Sequence, residues 1–194
     1  IILARSAETY LMAAEAKIRL AKAGSGSFAD ALPYINAVRA RATYKSGEDR
    51  SAYTDGSASW TTAGQGTVPV SFVKENSYYE SNNLSYSSPV TTSTNLTIAS
   101  IGSLPAEDQA VITRLGYSSD YDRMLCLVLN ERTRELCGEF HRWEDLSRTK
   151  TLVDRAKAYN PEAAPNIQNF HMLRPIPQAF LDAVFASGKP LTPE

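Results

Sequence analysis

Residues 129–148 read LNERTRELCGEFHRWEDLSR, and the fold follows from how this stretch is arranged. Upstream, Ser119 with Asp122 three positions later forms a capping-box start. Leu125, Leu129, Leu136, Phe140 and Trp143 then recur at helical spacing, which predicts one buried face of a helix running through Leu146. Trp143 falls on that stripe and reads as core. The flank carries Glu131–Arg134, Glu139–Arg142 and Arg142–Asp145, each spaced i,i+3 as an ion pair. Taken alone, such a flank is a salt-bridged solvent face. Glu135 and Glu139 invite comparison with a glycosidase's two carboxylates, but two acids at i,i+4 on one helix are better explained by the same flank.

Working outward, Leu3, Ala7, Leu11, Ala14, Ile18 and Ala21 mark the face of an earlier helix that Gly24 should end. Glu15 and Arg19 support it at i,i+4. Ser27 and Asp30 then cap a second helix whose apolar face is Phe28, Ala31, Ile35 and Val38. Pro33 in that helix predicts a kink or a late start. Two Ala-rich helices joined by a short turn resemble one tetratricopeptide-type hairpin, which must stack on neighbours to bury both faces. The chain has no second full copy at a fixed period. On the other side, Pro105, Ala106 and Glu107 open a short helix that Gly116 closes. Beyond Arg148, Pro161, Pro165, Pro175 and Pro177 predict extended chain, with a final short helix over Phe180 to Phe185.

Between the two helical parts, residues 43–103 form an insert dense in Ser, Thr, Gly and Asn. Thr67 to Val73 and Leu96 to Ile101 are its candidate short strands. A segment this long without regular structure is usually functional or disordered. Its Tyr44, Tyr53, Trp60, Phe72, Tyr78, Tyr79 and Tyr86 are too many for a passive linker. Sugar rings present apolar C–H faces that stack on indole and phenol rings, with Asn, Gln, Asp and Arg satisfying the hydroxyls. Trp60 lies in a Ser/Gly/Thr tract with little local sequence to bury it, and Gln65 is nearby. Tyr78 and Tyr79 sit beside Asn76, Glu80 and Asn82. Trp60, Tyr53, Tyr78, Tyr79 and Tyr86 are therefore the candidate ligand contacts. The competing reading has these rings packing inward to pin the insert to the helices.

Composition narrows the class. A 43% apolar fraction over 194 residues suits one domain with its own core. Twenty basic against 21 acidic side chains give no electrostatic footprint for nucleic acid or for a polybasic membrane contact. No apolar run approaches the roughly 20 residues of a membrane-spanning helix. Because the chain begins with Ile1, it reads as an excised piece of a longer precursor. Cys126 and Cys137, placed on one helix about 16 Å apart, cannot form a disulfide and are expected as free, buried thiols. His141 and His171 lie far apart and belong to no metal motif. No nucleophile elbow or phosphate loop is present. No catalytic residue, metal or cofactor is expected.

The 129–148 stretch also resembles the signature helix of the SusD/RagB family. Ala7-Glu8-Thr9-Tyr10-Leu11-Met12-Ala13-Ala14-Glu15-Ala16, with Ile35-Asn36-Ala37-Val38-Arg39-Ala40-Arg41-Ala42, resembles that family's preceding helix pair. Leu173-Arg174-Pro175-Ile176-Pro177 resembles its Pro-Ile-Pro turn. The three stand in the family's order, and the insert between them is unmatched. The resemblance implies a mostly α fold of tetratricopeptide-like helical hairpins, with a long irregular loop-rich insert carrying at most short strands. It implies residues 1–194 as the C-terminal part of a nutrient-binding protein. It further implies binding of a glycan or other nutrient at the outer-membrane cell surface, with delivery to a TonB-dependent, SusC-like transporter. Membrane attachment would come only through an N-terminal lipid anchor absent from this chain. The family's Gln-Asn-Pro-Gly-aromatic ending is also absent. The expected role is non-catalytic. A glycoside hydrolase with unassigned carboxylates and a helical-repeat interaction scaffold are the alternatives.

Overall fold

A computed structural model describes residues 5–48, 95–186 and 189–190. The chain divides into two units, Ile1–Arg39 with Thr97–Glu194, and Ala40–Leu96. Helix α1 (Ser6–Lys22) ends as its sequence predicts. Gly24 takes φ +85°, its N–H bonds the Ala21 carbonyl, and the Ser25 N–H bonds Leu20, a Schellman closure of the last turn. Ser27 caps the next segment, with its hydroxyl accepting the Ala29 N–H and Asp30 accepting the Ser27 N–H. What it opens is a 3-10 turn, Phe28–Ala31. Helix α2 (Leu32–Ala42) follows. Pro33 thus gives the late start. Its missing N–H falls in the first turn, where no intrahelical acceptor needs it.

The hairpin is real. Ala14 and Ile18 of α1 share a buried cluster with Ala31, Leu32 and Ile35, while Ala7 and Leu11 meet Val38. The first cluster also holds Met124, Leu127 and Val128 of α4 (Asp120–Glu135). Between them comes α3 (Ala106–Arg114), closed by Gly116 at φ +70°. Ser119 caps α4, accepting the Asp122 N–H at 3.1 Å. Met124 through Arg132 are buried without a break. Over Met124–Arg132, helix α4 is therefore enclosed on all sides and not along one stripe.

The single helix expected through Leu146 does not form. After Glu135 the chain makes an elbow, with Gly138 at φ +79° and Phe140 at φ +66°, and restarts as α5 (Arg142–Arg148). The reason is long-range. In a straight helix Arg132 and Asp145 would sit about 20 Å apart along the axis; here Arg132 Nε donates to Asp145 at 2.6 Å. Leu125, Leu129 and Leu136 are buried as expected, but Phe140 is 97% exposed and Trp143 37% exposed. Arg174 lies over the Trp143 ring at 4.9 Å. Of the cysteines, Cys126 is free and buried, and Cys137 is free and exposed.

Further on, α6 (Leu152–Tyr159) occupies chain expected to be extended. Its buried residues are Val153 and the charged Arg155, which together make no apolar stripe that would register against the prolines that follow. A 3-10 turn, Asn169–Met172, precedes α7 (Gln178–Ala183), the final short helix. Phe185–Ala186 pairs antiparallel with Lys189–Pro190. Leu96 to Ile101 is not a strand. It carries an isolated bridge between Ser100 and Ser103, and Ile98 is 3% exposed in the main core. There the Asn36 side chain holds the Ile98 backbone by both groups, donating to its carbonyl at 3.0 Å and accepting its N–H at 2.9 Å. In the second unit, the Lys45 N–H donates to the Glu48 carboxylate at 3.1 Å, and the Glu48 N–H to the Lys45 carbonyl at 2.9 Å. Thr67 to Val73 lies outside the described residues.

Candidate functional site

The described helices carry a dense set of charges, and most are not on a solvent face. Asp108 is fully buried. It accepts from Asn130 at 2.7 Å and from both terminal nitrogens of Arg134 at 3.1 Å. Arg134 also reaches Glu131 at 2.6 Å, the i,i+3 pair read from the sequence, and Glu131 accepts from Arg39 at 2.9 Å. From the other side Arg155 donates to Asn130 at 2.9 Å and meets the Cys126 sulfur at 3.2 Å. Burial nonetheless keeps the Cys126 thiol above its ordinary pKa. Charges this deep persist because each is paired.

Glu135 and Glu139 are not a free carboxylate pair. Both grip Arg5, at 2.5 and 2.6 Å. The same guanidinium caps the Glu135 carbonyl, one of the acceptors left open at the end of α4. The expected pairing of Glu139 with Arg142 is replaced by this one. Arg142 instead donates to the Leu129 carbonyl at 3.1 Å. Burial, then the nearby Arg155 charge, push its pKa down to about 10.

A cleft of about 420 Å³ opens beside this network, walled by α1, by Arg132 of α4, and by the elbow and α5. At its centre Glu15, 5% exposed, accepts from Arg19 at 2.8 Å and from Arg148 at 2.6 and 2.8 Å. Burial alone would raise the Glu15 pKa, but the Arg148 and Arg19 hydrogen bonds hold it below the ordinary carboxylate value. Asp145, 3% exposed, takes Arg132 at 2.6 Å and Arg148 at 2.8 Å. Glu8, His141 and Glu144 complete the polar lining, and Met12 and Ala16 the apolar part.

Trp60, Tyr53, Tyr78, Tyr79 and Tyr86 lie outside the described residues. The cleft was not singled out by sequence. Glu15 with Arg19 was visible as a local pair, but nothing in the sequence couples Glu15 to Arg148 across 133 positions. Among the described residues no group of three or more His, Cys, Asp or Glu is placed to hold a metal. No described helix is long and apolar enough to cross a membrane.

Comparison with known proteins bears on what this scaffold does. The family model described as the SusD family matches residues 1–186. No curated protein matches the chain significantly, and no solved structure does. Proteins of the matched family bind glycans or other nutrients at the cell surface.

Proposed function

The chain belongs to the SusD family, and on that premise we propose that it captures a glycan or other nutrient and passes it to a TonB-dependent, SusC-like transporter, without catalysing a reaction. The observation that carries this reading is the match across residues 1–186. The described carboxylates support the non-catalytic role, because Glu135, Glu139, Glu131, Glu15, Asp108 and Asp145 are all held by arginines within the scaffold. Attachment to the outer membrane through a lipid anchor is part of the proposal.

Trp60, Tyr53, Tyr78, Tyr79 and Tyr86 are the proposed ligand platforms. What supports them is sequence: an aromatic-rich, Ser/Thr/Gly-rich tract with neighbouring amides, matched to the apolar faces and hydroxyls of sugars. Titration calorimetry of the full-length protein against an oligosaccharide panel tests this. Binding is expected, and Trp60→Ala or a Tyr78→Ala/Tyr79→Ala pair should abolish it. A glycan bound with undiminished affinity by all these variants would remove the site assignment. Release of reducing ends from a polysaccharide by purified protein would replace capture with hydrolysis. Co-purification with the transporter checks the delivery step.

A further inference from the structure

The elbow between α4 and α5 carries the most exposed large apolar side chain among the described residues, Phe140 at 97%. Its φ is +66°, a left-handed conformation that strains a bulky residue and that glycine would take without cost. Single exposed hydrophobics are ordinary on a protein surface. One displayed on a strained backbone calls for a reason. The elbow is also firmly held. Arg5 ties down Glu135 and Glu139 at 2.5 and 2.6 Å, and the Glu139 N–H bonds the Leu136 carbonyl at 3.1 Å. Just beyond, Arg132 fastens Asp145 at 2.6 Å. The backbone that displays the ring therefore has little left to order on association.

Beside the ring lies a depression of about 190 Å³, to which Phe140, Thr133, Leu136, Cys137, His141 and Arg142 contribute. Its wall is mostly apolar. An apolar cavity of about 150 Å³ holds one benzene ring, so this hollow matches a phenyl group. Arg142 favours an aromatic occupant over an aliphatic one. It donates to the Leu129 carbonyl at 3.1 Å and has no ion pair among the described residues, and a guanidinium attracts the face of an aromatic ring. The Phe140 ring itself does not fill the hollow, since it touches almost nothing of its own chain. Knob and hole thus stand side by side on one surface. A two-fold axis uses that arrangement fully, because each copy then fills the other's hole with the same residue. A protein of another sequence would need a matching knob and hole in the same relative places. We propose that the elbow is a self-association surface, at which two copies of this chain insert Phe140 reciprocally into the hollow beside each other's Phe140. With one knob from each copy the interface is small, and the association is weak and concentration-dependent.

This surface uses no part of the nutrient-capture reading, and either can fail alone. Sedimentation velocity of the full chain from about 10 μM to about 1 mM, the range of weak associations, should show a monomer–dimer equilibrium. Phe140→Gly should weaken it about 100-fold or more, because each dimer loses two central aromatic side chains. The unfolding midpoint of the dilute monomer should meanwhile stay level or rise. A ring that served only the fold would show the reverse. Thr133→Arg, at an exposed position of α4, fills the hollow with Phe140 intact and should weaken association in the same way. A short bismaleimide should join Cys137 to Cys137 in the dimer, since Cys137 lines the hollow and Cys126 is buried. Phe140→Gly should prevent that cross-link. A chain that stays monomeric to the top of the range overturns the proposal and leaves the ring to a partner of another sequence. A dimer that survives both substitutions, or leaves Cys137 unjoined, overturns it too, because its contact lies elsewhere.

Discussion

Replacing Asp145 by Asn keeps the side chain's shape and removes its charge. Asp145 is 3% exposed and sits between Arg132 and Arg148. Arg148 would keep Glu15 at 2.6 Å, but Arg132, with its side chain 4% exposed, would retain only Glu8 at 3.6 Å. Removing one partner of a buried pair and leaving the other charge unmatched costs about 3–5 kcal/mol. Arg148→Met is the contrast. Its side chain is 38% exposed, and both acids it touches keep another arginine, so a cost of about 1 kcal/mol is expected. For a chain of this size each kcal/mol lowers the melting temperature by roughly 2–4 °C, so Asp145→Asn should melt roughly 6–20 °C lower. Urea unfolding followed by far-UV circular dichroism measures the difference, with an unchanged m value showing that both states are comparable. The double variant Arg132→Met/Asp145→Leu, which removes both charges, should be less destabilised than Asp145→Asn alone. Equal small losses in Asp145→Asn and Arg148→Met would mean that this network is a solvated flank after all, and the burial argument would fail.

Stability should fall as acid protonates Glu15. Its folded pKa lies below the unfolded value, so its contribution is present above about pH 4.3 and is lost as pH drops through the folded pKa. A pH series of unfolding curves should show a shallower acid loss in Glu15→Gln than in the parent. Gly116→Ala should cost about 1 kcal/mol, because φ is +70° and no neighbour crowds the position. Phe140→Gly should instead stabilise by about 0.5–1 kcal/mol, since an exposed phenylalanine at φ +66° gives up its left-handed strain; chemical denaturation measures both. A thiol reagent should label Cys137 at once and Cys126 only as the protein unfolds, because one is exposed and the other buried with a raised pKa.

Local signals were readable where the chemistry is local. Gly24, Ser27, Gly116 and Ser119 each end or start an element through hydrogen bonds to residues within five positions. The elbow at residues 136–141 was not readable, because its cause is a set of pairs with distant chain. Apolar spacing continues through Phe140 and Trp143 as if the helix did, and the left-handed turns that break it appear only as one glycine, Gly138. The same limit applies to the charges. Spacing showed which acids and bases could pair along a helix, and correctly gave Glu131 with Arg134. It could not show that Met124–Arg132 is enclosed all round, which puts Glu131 and Arg132 in the interior and leaves Arg134 at its edge. The family assignment survives the loss of the straight rod, since it rests on the match over residues 1–186. The five insert aromatics remain a proposal from composition.

The two-point grip of Asn36 on the Ile98 backbone has an evolutionary corollary. It fastens the chain from either side of the aromatic tract at neighbouring points of one core. Once such points are held, doubling the length of chain between them adds only about 0.6 kcal/mol of closure entropy. Residues can then be gained, lost or rewritten between those points at little cost to the helical core. One helical core can thus carry many different tracts without having to be refolded for each.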